Sequence, residues 1–350
     1  MSDEMNIGEM LAEQVGKLLG SQVDREALIR VEGGAFDDVL WNDIEEMGVT
    51  LALVAEEAGG AGLSWADSEQ VLRLSGVFAA PVPLGETAIG NWALANAGLE
   101  IPGGALAVST TVFELDASGK LHGTDPMLSW APVVRQVVLV AERAGSRFVC
   151  LIDISAGTQA PVSTLDRLPC AAFTLSGAAP VSQGEAPLLD ELGLLPHLAT
   201  LRSAQMAGAL AHALELCVEY ANTRVQFGKP IGKFQAIQHM IAELAGQAAA
   251  AQVAGLYACR QIDAGNATYG AAAAKSLIGR AATRATAIAH QVFGAIGITD
   301  EHSLHYYTRR LWQWRAEAGS DHFWSELLGR QALAQEGSAL WKRLSTPLDG

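Results

Sequence analysis

The chain has 350 residues, half of them hydrophobic, and a formal net charge of −15. That length accommodates two or three packed units with large cores. The acidic balance excludes nucleic acid and anionic membrane surfaces as principal partners, because both select basic proteins.

The N-terminus, MSDEMNIGEMLAEQVGKLL, is acidic and lacks an apolar signal core, and no apolar run is long enough to span a bilayer. Both features predict a soluble, cytoplasmic protein with no membrane partner. From residue 4 to about 100 the apolar spacing is helical, as in EMNIGEMLAEQVGKLL and LWNDIEEMGV. Ser64, after the glycine turn EEAGGAGL, is placed to cap the helix that follows it. Near IPGG (101–104) the pattern changes to short β-type runs: ALAVSTTVFEL, RQVVLVA and RFVCLID joined at ERAGS, and AAFTLSG. From about 190 the pattern is helical again, in three stretches of more than twenty residues with short connections, then a last helical region from Asp300 to about Trp341. The expected fold class is α+β: an N-terminal helical domain (1–102), a small antiparallel β-domain (103–190) and a C-terminal four-helix bundle (191–350). Cys150, Cys170, Cys217 and Cys259 show no CxxC spacing and read as buried thiols, not as a disulfide framework or a metal site. Leu304, Tyr307, Leu311 and Trp314 share one helical face, suited either to intrachain core or to an oligomer surface.

One stretch interrupts the bundle. RVQFGKPIGKFQAIQ (224–238) contains Arg224, Lys229 and Lys233, and no acid occurs between Ala221 and Met240. Pro230 forbids helix continuation, and Gly228 and Gly232 free the backbone. The next helix then starts with its N–H groups and positive dipole end turned toward the same turn. The arrangement suits a phosphate or diphosphate, with Phe227 as a flat face and Gln235 as a two-way amide. The plainer account is a basic helix–helix turn. A second glycine loop, QVFGAIGIT (291–299), offers Gln291, Gly294 and Gly297 for close backbone approach, with C-capping as its plainer account.

Taken together, VEYANTRVQFGKPIGKFQAIQHMIAEL and HQVFGAIGITDEHSLHYYTRRL strongly resemble the acyl-CoA dehydrogenase family. LWNDIEEMGVTLALVAEEAGGAGLSWAD looks like that family's N-terminal helical motif, so the resemblance covers the whole chain. It implies FAD bound at a subunit interface, with an acyl-CoA substrate. Residues matching Arg224, Phe227 and Gln235 contact the flavin of a neighbouring subunit, and the loop matching Gln291, Gly294 and Gly297 holds its adenosine and diphosphate portion.

The sequence departs from the family where chemistry is done. Dehydrogenation needs a carboxylate to remove the α-proton, for which flavin chemistry has no substitute. The family's E-G-T triplet is here A-G-S (318–320), which puts Ala318 at the base position and Glu317 one residue early. On a helix end one residue turns a side chain by about 100°. The alternative base position, on an earlier helix, falls at or near Leu198, with His197 the nearest titratable group. The T-E-x-x-x-G-S-D-like segment that contacts the isoalloxazine is absent from ALAVSTTVFELDASGK, where Ser109, Thr110 and Thr111 are its only counterparts. This pattern resembles the short subunits of bacterial α2β2 acyl-CoA dehydrogenases, many of which act on steroid side-chain CoA esters. The implied partners are a longer homologous subunit and, as electron acceptor, electron-transferring flavoprotein. Two other readings remain: a homo-oligomeric enzyme using Glu317, and a flavin-free scaffold or acyl-CoA-binding subunit.

Overall fold

A computed structural model describes residues 6–334 together with 337, 341 and 342. Residues 1–5 of the acidic N-terminus, and most of 335–350 at the end of the last helical stretch, lie outside this set. Helices α1 (Ile7–Gln22), α2 (Arg25–Glu32), α3 (Asp38–Glu46), α4 (Trp65–Val77) and α5 (Leu84–Asn96) form the first unit. Their starts are written in the sequence: Asn6, Asp24, Asp37 and Ser64 each accept a backbone N–H of the first turn. Such a cap contributes about 1 kcal/mol.

The middle unit is a seven-stranded sheet of β1 (Leu106–Leu115), β2 (Leu121–Ser129), β3 (Gln136–Arg143), β4 (Ser146–Asp153), β5 (Thr158–Pro161), β6 (Cys170–Ala178) and β7 (Ser182–Glu185). Its order is β5-β6-β2-β1-β3-β4-β7. The sheet is mixed, which corrects the antiparallel expectation. Strand β2 folds back on β1, and the chain then passes Trp130 to the far side of β1, so that β3 runs parallel to it. Strand β2 lies inside the sheet although it contains Pro126, because the register shifts between Asp125 and Leu128 and the proline sits at that irregularity.

Three long helices, α6 (Leu195–Thr223), α7 (Gln235–Asp263) and α8 (Ala267–Phe293), dominate the last unit. A two-residue hairpin, β8 (Val225–Gln226) and β9 (Lys229–Pro230), separates α6 from α7. The final helical stretch is two helices, α9 (Leu304–Ala316) and α10 (Asp321–Leu333), broken at 317–320. Leu304, Tyr307, Leu311 and Trp314 are buried in the same core as Leu210, Leu244 and Ile278. That face is therefore intrachain core, which removes it as an oligomer surface.

Small residues bring the two helical units into backbone contact. A methyl group on Gly76 of α4 would lie 1.9 Å from the Gln205 carbonyl of α6, and one on Gly208 of α6 would lie 2.1 Å from the Arg73 carbonyl of α4. Only glycine permits that crossing. All four cysteines are free and buried, with burial pushing the Cys150, Cys170 and Cys217 thiols up to about 12. Among the described residues no helix is long and apolar enough to cross a membrane.

Candidate functional site

The interruption of the bundle forms one wall of an open cavity. Arg224 leaves α6 in an extended conformation, and Phe227 and Gly228 then both take positive φ, +51° and +80°. Two such residues in a row make the tight reversal that a two-residue hairpin requires. Phenylalanine is an unfavourable residue for this conformation, and its side chain is 90% exposed. Its ring meets Phe234 edge-on at 6.1 Å, while Lys229 Nζ lies 4.4 Å from the Phe234 ring centre.

The opposite wall is the C-terminal end of α8. There Gly294 adopts φ +61° with open space where a side chain would begin. Arg224, Phe227, Gln291 and Gly294 line one cavity of about 510 Å³, floored by the stacked rings of Tyr220 and Phe293. Two stretches about seventy residues apart in the sequence thus meet. Gln235 and Gly297 are not on its wall. Gln235 is exposed at the first turn of α7, and Gly297 is buried beneath the loop, where a methyl group would press on Phe293 at 2.7 Å. Among the described residues the Arg224 side chain has no ion pair or hydrogen bond; its backbone alone is bonded.

A second, inner cleft of about 200 Å³ contains Ala318, Leu198, Thr110 and Thr111 on its wall. Both candidate base positions and the counterparts of the isoalloxazine-contacting segment therefore converge on one place. Ser109 turns away and donates to Asp125 Oδ2 at 2.6 Å. Ala318 has φ +50° and Gly319 +84°, so α9 ends in a left-handed turn. Lys275, buried in α8, fixes this turn by donating to the carbonyls of Trp314, Arg315 and Glu317 at 2.5, 3.3 and 2.7 Å. Burial draws the Lys275 ammonium down to about 7, with Glu317 acting the other way.

Glu317 is 6% exposed and held from two sides. Arg202 Nε donates to its Oε2 at 2.7 Å and Gln313 Nε2 to its Oε1 at 2.8 Å. Arg202 also pairs with Glu86 at 2.8 Å, and Trp130 Nε1 donates to the same carboxylate at 3.1 Å. Burial opposes the charge of Arg202, but Glu317 and Glu86 outweigh it and hold the guanidinium above the ordinary arginine range. His197 is packed between Trp65 and Trp92, and burial pushes it down to about 4, so it is a neutral core residue.

The motifs do not disclose Glu86, Arg202 or Lys275. One signal does mark them: Glu86 is the sole charged residue of α5, Arg202 the sole Asp, Glu, Lys or Arg in the first twenty residues of α6, and Lys275 interrupts a run of alanines. A lone charge in an apolar helix requires a buried partner.

Residues 192–333 match the acyl-CoA dehydrogenase C-terminal domain family. The chain is 31% identical over 307 residues to acyl-CoA dehydrogenase IpdE2 of Mycobacterium tuberculosis, covering 86% of this chain and 88% of that protein. The chain belongs to the acyl-CoA dehydrogenase family. Its fold is also shared with a chain of the ChsE4-ChsE5 complex from Mycobacterium tuberculosis, at TM-score 0.82 and 21% identity over 96% of this chain and all of that one. The Tcur3481-Tcur3483 steroid ACAD gives TM-score 0.84 at 21% identity, covering 95% and 98% of the two chains. As an acyl-CoA dehydrogenase-family protein it falls among oxidoreductases that act on CH–CH bonds.

Proposed function

We propose that this chain is the base-lacking subunit of a heteromeric, FAD-dependent acyl-CoA dehydrogenase, offering half a flavin site to a longer homologous partner. The observation that carries this reading is the pairing of Glu317. Glu317, the carboxylate next in sequence to the base position, is already bound by Arg202 and Gln313, and Ala318 has no proton chemistry. General-base assistance is worth roughly 10²–10⁴ in rate, so a chain without it needs the base from elsewhere.

The outer cavity fits the adenosine-diphosphate half of FAD. Its volume lies within the usual ligand range of roughly 300–1,000 Å³, its arginine is uncommitted, and Gly294 leaves backbone open to a phosphate. In that role Arg224 supplies charge to the diphosphate, Phe227 a flat face, and Gln291 and the Gly294 backbone hydrogen bonds, with Gln235 and Gly297 supporting the two loops. The inner cleft is below that range and holds a committed ion cluster, which does not fit a ring system together with an acyl chain. FAD, when bound, supplies the hydride acceptor; this chain's residues hold the cofactor and exclude water from its diphosphate.

The relatives support the quaternary arrangement by analogy: one similar structure is described as a complex of two named proteins, and another carries two protein names and is described as a steroid ACAD. A bulky acyl-CoA substrate, electron-transferring flavoprotein as acceptor, and a cytoplasmic site belong to the same reading. The test is flavin absorbance and turnover of the chain purified alone and co-expressed with a longer homologue. Flavin and activity are expected only with the partner. Flavin-loaded, active protein from the single chain would favour the homo-oligomeric enzyme, and no flavin in either case would favour the scaffold. In the active complex, Glu317→Gln is expected to leave turnover per folded complex nearly unchanged. A loss of about 10²-fold or more with FAD retained would make Glu317 the base.

A further inference from the structure

A buried aspartate and a buried arginine lie behind the inner cleft and have no part in the flavin reading. Asp166, in the loop between β5 and β6, is 2% exposed, and Arg310 of α9 is 1% exposed. Asp166 Oδ1 accepts the Leu168 N–H at 3.2 Å, whereas Oδ2 has no hydrogen-bond partner among the described residues. Arg310 Nη1 donates to the Ala80 carbonyl at 3.1 Å, while Nε and Nη2 are likewise unpartnered. The two residues are not in direct ion-pair contact, yet both line a small cavity of about 10 Å³ with Arg202, Glu86 and Glu317. That volume is close to the least that holds one water molecule, and such a water needs two or more polar partners.

Among the groups that line this cavity the charge count is uneven. Three carboxyls, on Glu86, Asp166 and Glu317, face two guanidiniums, on Arg202 and Arg310. An uncompensated buried charge is costly, and the usual resolution is that one group becomes neutral. Glu86 and Glu317 each accept from Arg202 and from a second donor, which favours their ionised forms. Asp166 has neither. Lys275 is a further cation behind Glu317, outside this cavity; its ammonium is held by the carbonyls of Trp314, Arg315 and Glu317, and burial draws it down to about 7. Glu32 is itself paired with Arg309 at 2.5 Å, and Tyr307 and the Cys170 thiol are both pushed up to about 12 and stay neutral. Thr164 contributes only a hydroxyl.

We propose that Asp166 is a proton-binding site: its carboxyl is protonated in the closed junction, and one internal water links it to Arg310. Burial raises this carboxyl to about 6, Glu317 acts in the same direction, and Arg310 opposes both. A free aspartate titrates near 3.9, roughly two units lower. The folded chain therefore binds the proton more tightly than the unfolded chain. The resulting stability is full below about pH 4 and is lost as the pH rises through about 6. The proton acts where all three units meet: Ala80 and Glu86 come from the first, Asp166 from the sheet, and Arg202, Arg310 and Glu317 from the last. Its release places a negative charge beside Glu317 and loosens the seat of the sheet on the helices.

The experiment is an infrared pH titration of the full chain, read at the carbonyl stretch of protonated buried carboxyls, with thermal melts alongside. A band present at about pH 5, lost at about pH 8 and missing from Asp166→Asn is expected. Burial also raises the carboxyls of Glu69 and Asp263, which Asp166→Asn leaves in place, so the difference between the two proteins isolates Asp166. Asp166→Asn should melt above the wild type at about pH 8 and show a flatter pH profile. A band identical in both proteins, or an Asn variant that melts below the wild type at about pH 8, would overturn the proposal. Arg310→Met provides an independent check, because removing the opposing charge must move the midpoint of the band upward. An unmoved midpoint rejects the assignment.

Discussion

Helix α6 carries two arginines with opposite fates. Arg202 is buried between two carboxylates, and Arg224, roughly 33 Å further along the same axis, faces an open cavity with no carboxylate partner among the described residues. A guanidinium paired twice and removed from water is part of the architecture. One left uncommitted at the rim of a ligand-sized cavity is available to an anion. The contrast shows that the amount of charge near a pocket says little about binding; what matters is whether that charge is already satisfied.

The largest expected effect lies at the inner arginine. Arg202→Ala leaves Glu86 and Glu317 buried without their cation, which should cost about 3–5 kcal/mol in denaturant unfolding. A loss below about 1 kcal/mol would mean that the cluster is more solvated than its burial implies. Arg224→Ala should behave in the opposite way. Melting of the isolated chain should stay constant, while FAD retention in the co-expressed complex weakens by about 2–4 kcal/mol, the range for leaving a paired charge alone. Unchanged flavin content would break the contrast at its outer end. The smallest effect concerns the turn that replaces the base. Ala318 adopts φ +50°, a conformation that costs an L-residue about 1–2 kcal/mol. Ala318→Gly should therefore stabilise by up to about 1 kcal/mol once the added freedom of the unfolded chain is subtracted. A lowered melting temperature would show that the alanine methyl contributes packing in the cleft.

Much of this was readable in the sequence because it is local. Helix starts at Asp37 and Ser64, the hairpin at 143–146 and the cationic interruption at 224–238 depend on neighbours a few residues away. The sheet order was not readable. Strand β2 mixes histidine, glycine, aspartate and proline, and its pairing with β6 and the parallel partnership of β1 with β3 are settled by contacts distant in the chain. The ion cluster was hidden for the same reason, since Arg202 and Glu317 are separated by 115 residues. The flavin motifs marked the outer cavity, but which of their residues reach its wall depended on loop geometry: Gln291 and Gly294 do, Gln235 and Gly297 do not.

The crossing of α4 and α6 at Gly76 and Gly208 has a mechanical consequence. Each glycine sits against the other helix's carbonyl, so neither helix can slide by a residue without driving a side chain into a backbone. The first and last units consequently move as one rigid frame. The sheet is seated against that frame through the apolar core that Leu106, Val108 and Val138 share with Ile89, Leu94 and Leu201, and through Trp130 and the Asp166 loop.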